Sequence, residues 1–283
     1  MTPSPQLQSL VNDLPDPDER GMYCTNIDKG KIERAIAGIH AGGRENVLGL
    51  IAMLVPPGRG DDVKAHYALH CLAIHVCKLP DRKHRREFAA ALASQLGGDR
   101  PKAVQAYLCQ ELQAAGGKEV VPALGKLLTD EELCEPAACA IVAIGEGAAE
   151  QLRAALPAAK GKCRLTILQN LGVVRDAASV GALKEALADR DREIRLVAGW
   201  GLANMGDAGS VDLLLRAADS QGWERIQATK NCMLLAERLL AAGKPADAAR
   251  IYTHLKNTRK DPSERYIRDA AQKALLHSVQ PGR

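Results

Sequence analysis

His66 and His70 stand four residues apart in a stretch that reads as helix, with Asp62 one turn before them and Cys71, His75 and Cys77 after. Two imidazoles one helical turn apart can hold one edge of a transition-metal site. The same segment does not supply the rest. Asp62 and His70 are eight residues apart, about 12 Å along a helix axis, so they cannot join His66 on one ion. Cys77 lies two turns beyond His70, and His75 falls on the opposite side from His66. A further ligand must come from a neighbouring helix, and nothing in the sequence points to one. We therefore expect polar residues flanking a core stripe, with no metal and no other cofactor.

The second chemical feature is the run Arg82-Lys83-His84-Arg85-Arg86. Across 78–102, Lys78, Arg82, Lys83, Arg85, Arg86, Arg100 and Lys102 face only Asp81, Glu87 and Asp99. A local cationic surplus attracts phosphate or an acidic protein. Nucleic-acid grooves add aromatic stacking or Asn/Gln base readers, however, and the window offers only Phe88 on its apolar side. A solvated helix face is expected, and a nucleic-acid partner is not. Trp200 is the third feature. It lies roughly 140° from the centre of the stripe formed by Ile194, Ala198, Gly201, Leu202 and Met205. It either anchors a partner or folds over the next helical unit near Trp223 and Ile226.

Signatures of common chemistries are missing. Gly116-Gly117-Lys118 is followed by Glu119 and Gly243-Lys244 by Pro245, so neither is a phosphate-binding loop. No G-x-S-x-G or H-E-x-x-H occurs. An enzyme is not expected.

The elements that must carry these residues repeat with a period of 31. Shifted by that amount, Arg164-Leu165 falls on Arg195-Leu196, Leu171 on Leu202, Asp176-Ala177 on Asp207-Ala208, Ser179-Val180 on Ser210-Val211 and Leu183 on Leu214. A fixed period of this size marks a stacked array in which each unit buries its apolar face against its neighbours. Aromatics make up only 3% of the chain, so the core must be built from Ala and Leu, which favours closely packed helices over strands. The fold class is all-α, with no strand expected. Breakers such as Gly97-Gly98, Gly145-Glu146-Gly147, Arg175-Asp176 and Gly206-Asp207 recur every 10 to 20 residues. Between them the apolar spacing is helical, as at Ala65, Leu69, Leu72, Ala73, Val76 and Leu79. Pairing the helices gives repeats at 29–58, 61–98, 99–130, 131–161, 162–190 and 191–221. A longer unit at 222–261 and a last helix at 263–278 follow. Residues 1–28, with Pro15 and Pro17 in quick succession, form a polar lead-in or cap.

Asp189-Arg190-Asp191-Arg192-Glu193-Ile194-Arg195, then Ala198, Gly201-Leu202 and Met205-Gly206-Asp207, resembles the HEAT repeat in its bacterial, phycobilisome-lyase-like form. The match is best over 162–221. Leu240-Ala241-Ala242-Gly243-Lys244, with Ala248, Tyr252 and Pro262, is similar to the second half of a tetratricopeptide repeat. The resemblance implies a right-handed α-solenoid of about six HEAT-like pairs (29–221), continued by a tetratricopeptide-like unit and cap (222–283). It implies no catalytic residue, because HEAT arrays serve as scaffolds, enzymes and adaptors alike. HEAT-type di-iron hydroxylases carry His-Glu pairs, and none of the seven histidines here is followed by Glu. A HEAT-like DNA glycosylase or nucleic-acid binder is the alternative, and a chromophore lyase subunit a lower one.

The expected role is a non-catalytic protein-binding scaffold or adaptor. Second helices of the pairs, at 118–128, 148–156, 177–187 and 208–218, would form its inner face. Lys126, Arg153, Lys184 and Arg216 are the candidate contact residues there, with Trp200 as the alternative anchor. Mixed charge on that face (Glu150, Glu185 and Asp212 are its acids) suits a polar protein interface better than an enclosed small-molecule pocket. The first residues lack the basic and apolar regions of a signal peptide, no apolar run approaches about 20 residues, and eight scattered cysteines form no C-x-x-C pair. A cytoplasmic protein with reduced thiols and no membrane association is expected.

Overall fold

The computed structural model describes residues 2–20 and 23–278. The chain divides into two compact units, Met1–Cys163 and Arg164–Arg283. Both are stacks of helical pairs.

The first unit opens with α1 (Pro5–Asn12) and a two-residue antiparallel bridge, β1 (Asp16–Pro17) with β2 (Cys24–Thr25). Pairs then follow: α2 (Lys29–Ala41) with α3 (Gly43–Met53), α4 (Val63–Lys78) with α5 (Arg82–Ala93), α6 (Lys102–Ala115) with α7 (Val121–Gly125), and α8 (Cys134–Ile144) with α9 (Ala148–Ala155). First helices of successive pairs pack on one another, α4 on α6 and α6 on α8.

One feature of the lead-in corrects the sequence expectation and another adds to it. A strand bridge exists at Asp16–Pro17 where none was expected; it is a turn closure in which Thr25 donates its hydroxyl to the Asp16 carbonyl at 3.2 Å. Residues 5–12 also form a helix, because Ser4 accepts the Leu7 N–H at 3.1 Å and Pro5 occupies the first turn, where its missing donor costs nothing. Leu7 and Val11, one turn apart, are buried on one side of α1. Leu7 and Leu10 lie over Gly49 and Gly38, where a Cβ would come within 2.5 and 2.9 Å of them. The lead-in is thus seated on α2 and α3.

α10 (Gly161–Val173) spans the division between the units. The second unit continues with α11 (Val180–Ala186), the pair α12 (Arg192–Met205) and α13 (Val211–Ala218), the pair α14 (Gly222–Ala241) and α15 (Pro245–Thr258), and α16 (Arg265–Ser278). The 31-residue period has a direct structural cause here. α12 starts at Asp191, whose carboxylate accepts the Glu193 N–H at 2.8 Å, and ends at Gly206 in the left-handed region (φ 72°). The Asp207 N–H then reaches back to the Leu202 carbonyl at 3.3 Å. One period earlier Asp176 N–H bonds the Leu171 carbonyl at 3.2 Å, and the left-handed residue is Arg175 (φ 53°) instead of glycine.

The recurring Asp and Arg are structural. Asp176 and Asp207 accept the hydroxyls of Ser179 and Ser210, both buried, and so fix the turn into the second helix. Arg164 lies 3.5 Å from Asp189. Arg195 donates to the Asp189 and Arg190 carbonyls at 2.8 and 2.9 Å and to Glu224 at 2.6 and 2.9 Å. Arg225 grips both oxygens of Glu264 at 2.7 and 3.0 Å. Each arginine thus ties its own helix to the following turn or helix. Arg259, at the end of α15, is fully buried. It donates to the Ala218 carbonyl at 2.7 Å, to Thr258 at 2.9 Å and to Thr229 at 3.2 Å, with Asp219 and Glu264 at 3.6 and 3.7 Å.

Candidate functional site

The histidines singled out by their spacing sit on the α4–α6 seam of the first unit, and each meets a carboxylate. His66 Nε2 lies 3.1 Å from Asp62, which also accepts the Val55 N–H at 2.8 Å. His70 Nδ1 lies 3.2 Å from both oxygens of Glu111, whose side chain is 2% exposed. The Tyr107 hydroxyl donates to the His66 carbonyl at 2.8 Å, and its ring stands edge-on to the His66 ring at 4.1 Å. Glu111 is the neighbouring-helix partner that the sequence did not reveal. The signal was faint, one acid on the otherwise apolar side of a helix 41 residues away.

A carboxylate-oriented imidazole can serve as a base, but the groups around it are held protonated. Burial pushes the Tyr67 phenol up to about 12, raises the Tyr107 phenol further, and raises the Cys71 thiol. Among the described residues no group of three or more His, Cys, Asp and Glu side chains is placed to hold a metal ion. All eight cysteines are free thiols, and burial pushes Cys109, Cys163 and Cys232 up to about 12. A second imidazole cluster joins α2, α4 and α5. His40 lies between His75 and His84, with ring centroids at 5.1 and 4.8 Å, at a cavity of about 290 Å³ floored by Val47, Leu72 and Phe88.

Of the basic run, Arg85 is committed to the fold, while Arg82, Lys83 and Arg86 are exposed. Arg85 caps α6 through the Ala115 and Gly116 carbonyls at 3.0 and 2.6 Å, and Arg100 bonds Gln95 at 2.6 Å and the Ile51 carbonyl at 3.3 Å. Lys102 pairs with Asp130, and Lys83 lies 3.8 Å from Glu87.

Of the second-helix residues, Lys126 and Arg216 are exposed and Arg153 is half-buried, 4.0 Å from Glu150. Lys184 is held by Asp207 at 2.9 Å. Burial works to raise the Asp207 carboxyl, but bonds from Ser210 and Lys184 outweigh it and hold the group below the usual range. Lys184 therefore belongs to the turn of the next pair.

Trp200 projects from α12 over α10. A Cβ on Gly172 would sit 3.0 Å from its ring and 2.8 Å from Gly201, so two glycines make room for the indole. Its other side lines a groove of about 420 Å³ that it shares with Val197, Trp223, Gln227, Asn231 and Gln169. Trp223 is 53% exposed. A separate apolar cavity of about 280 Å³ lies between α14 and α16, walled by Ile226, Met233, Tyr266 and Ile267. Trp223, Gln227 and Asn231 follow one another at intervals of four, on one face of α14. Gln227 and Asn231 did not stand out in the sequence, although that spacing next to an off-stripe Trp200 was the available signal.

The family model for HEAT repeats matches residues 149–232, so the chain carries HEAT repeats there. No curated protein matches the chain. Among solved structures, similarity is found to the complex of CpcE and CpcF of phycocyanin lyase from Nostoc sp. PCC7120, at 14% identity and a TM-score of 0.44 over 82% of this chain and 94% of that one. An archaeal HEAT-like repeats protein from Thermococcus onnurineus NA1 is similar at 14% identity and a TM-score of 0.38, over 90% and 100%. Human deoxyhypusine hydroxylase is similar at 16% identity and a TM-score of 0.34, over 96% of each chain. At these scores the likenesses say nothing of activity or partner.

Proposed function

We propose that this protein is a non-catalytic, cytoplasmic scaffold that binds another protein through its HEAT repeats. The observation that carries this is the aromatic groove of the second unit. Trp200 and Trp223 line one open groove in a chain with only eight aromatics, and Tyr266 lines a separate apolar cavity of the same unit. Exposed aromatic anchors ringed by polar groups are what protein interfaces select. Lys126, Arg153, Lys184 and Arg216 on the second helices are the polar contact candidates, and the two exposed ones, Lys126 and Arg216, are free of the repeat's internal pairs in the distances given above. No helix of the described residues is long and apolar enough to cross a membrane.

The test compares two surface variants in affinity capture from native lysate. Trp200→Ala with Trp223→Ala should abolish capture of the wild-type partner, with the helical spectrum retained. Lys126→Glu with Arg216→Glu should weaken it. A partner captured equally by both variants and by wild type would refute binding through either face.

A further inference from the structure

Asn231 is buried to 7% exposure, yet its carboxamide has no hydrogen-bond partner among the described residues. The cause is local. The residue facing it across the seam is Gly199, whose missing Cβ would stand 3.0 Å from the amide nitrogen and which offers no side chain to bond. A carboxamide carries two donors and an acceptor, and those of Asn231, which are not among the fully buried unpaired atoms, are open to whatever fills the space beside them. Asn231 lies at the junction of two spaces. One is the groove between Trp200 and Trp223. The other is an apolar cavity of about 200 Å³ under α12, α13 and α14, walled by Leu187, Leu214, Ala217 and Ala228.

We propose that this junction binds an extended peptide segment, with one main-chain amide paired to Asn231, the strand lying between the two indoles, and an adjacent Leu- or Phe-sized side chain entering the apolar cavity. This rests on the scaffold reading and names its ligand. An amide is the group whose donor and acceptor complement a carboxamide, and a branched or aromatic side chain fits a cavity of this volume and lining. The charges at the junction select against a polyanion. Arg195 is paired with Glu224 at 2.6 Å, and the remaining charge in the lining is Glu193, itself 3.0 Å from Arg192. A phosphodiester would find no cation left for it, although its bases could stack on the indoles.

Trp200 and Trp223 are the only tryptophans in the chain, so intrinsic fluorescence reports on this groove alone. The full-length protein is panned against a phage library of random 12-residue peptides, and the enriched sequences are made as capped peptides. Enriched peptides should share a large apolar residue and shift the tryptophan emission. Asn231→Leu should weaken them roughly tenfold, the worth of one lost hydrogen bond, with an unchanged melt. Replacing the matching peptide amide by an ester should weaken binding to wild type by a similar factor and to Asn231→Leu hardly at all. Trp223→Ala, a surface change that leaves the core intact, should abolish binding measured by anisotropy of labelled peptide. Peptides that bind wild type, Asn231→Leu and Trp223→Ala equally would overturn the groove while sparing the scaffold reading. No enrichment over the Trp200→Ala/Trp223→Ala protein would also overturn it, as would a dT12 oligonucleotide that shifts the emission more strongly than any peptide.

Discussion

The α4–α6 seam of the first unit and the α12–α14 seam of the second are built from the same helical grammar but treat their polar side chains in opposite ways. Glu111 faces His70 and is satisfied on both oxygens, although it is almost wholly buried. Asn231 faces Gly199, bonds no side chain there, and leaves its carboxamide open to the groove. The first seam pairs its buried acid within the fold. The open one keeps an amide and two indoles available. What separates them is the residue opposite: a side chain that reaches across seals the seam, and a glycine leaves it open to a ligand.

The largest expected effect tests whether the second unit is also held by a closed polar cluster. Arg259→Leu removes the shorter of two bonds to the Ala218 carbonyl, whose other donor is Arg225 at 3.4 Å, and leaves Asp219 and Glu264 without the buried cation between them. Breaking a buried ionic cluster by removing one member costs about 3–5 kcal/mol. A urea midpoint that barely moves would show that the guanidinium is dispensable.

The comparison itself is tested by a matched pair. Glu111→Leu removes a satisfied buried carboxylate and should destabilise by about 1–3 kcal/mol. Asn231→Leu removes a group with no partner and should stay within about 0.5 kcal/mol of wild type. Equal losses in chemical denaturation would mean that Asn231 is bonded after all, and the contrast between the seams would fall.

A smaller effect of opposite sign comes from the two turns one period apart. Gly206 and Arg175 both take the left-handed conformation, which costs an L side chain about 1 kcal/mol. Arg175→Gly should therefore stabilise by about 0.5–1 kcal/mol, the extra freedom of glycine in the unfolded chain offsetting part of the gain. A lower melting temperature would contradict this.

The smallest effect is the pH response of the first unit. Burial, then His75 on α4 and His84 on α5, lower the His40 pKa below 6.5, against the weaker pull of Glu87 on α5; Arg44 of α3 also lines the cavity. A histidine depressed in the folded state stabilises it fully above the unfolded value. That contribution declines as pH falls from about 6.5 towards the folded pKa. The melting temperature should drop between pH 7.5 and 5.5, and drop less in His40→Gln. Parallel losses in both proteins would assign the response elsewhere.

The sequence by itself determined the repeat, the helical pairs and their turns. These depend on interactions within one period: Asp with Ser three residues on, glycine at a helix end, apolar residues at helical spacing. The lead-in helix at 5–12 was legible only in its cap, because Leu7 and Val11 are too few to show a period without the glycines at 38 and 49 on which α1 rests. Tertiary structure alone decided which polar groups are satisfied. Glu111 and His70 are 41 residues apart, Asn231 and Gly199 are 32 apart, and Lys184 and Asp207 belong to successive repeats. Spacing along a helix gives the face a residue occupies, but only the packing of one helix on another decides what stands opposite it. Whether a buried polar group is part of the fold or open to a ligand depends on that opposite residue.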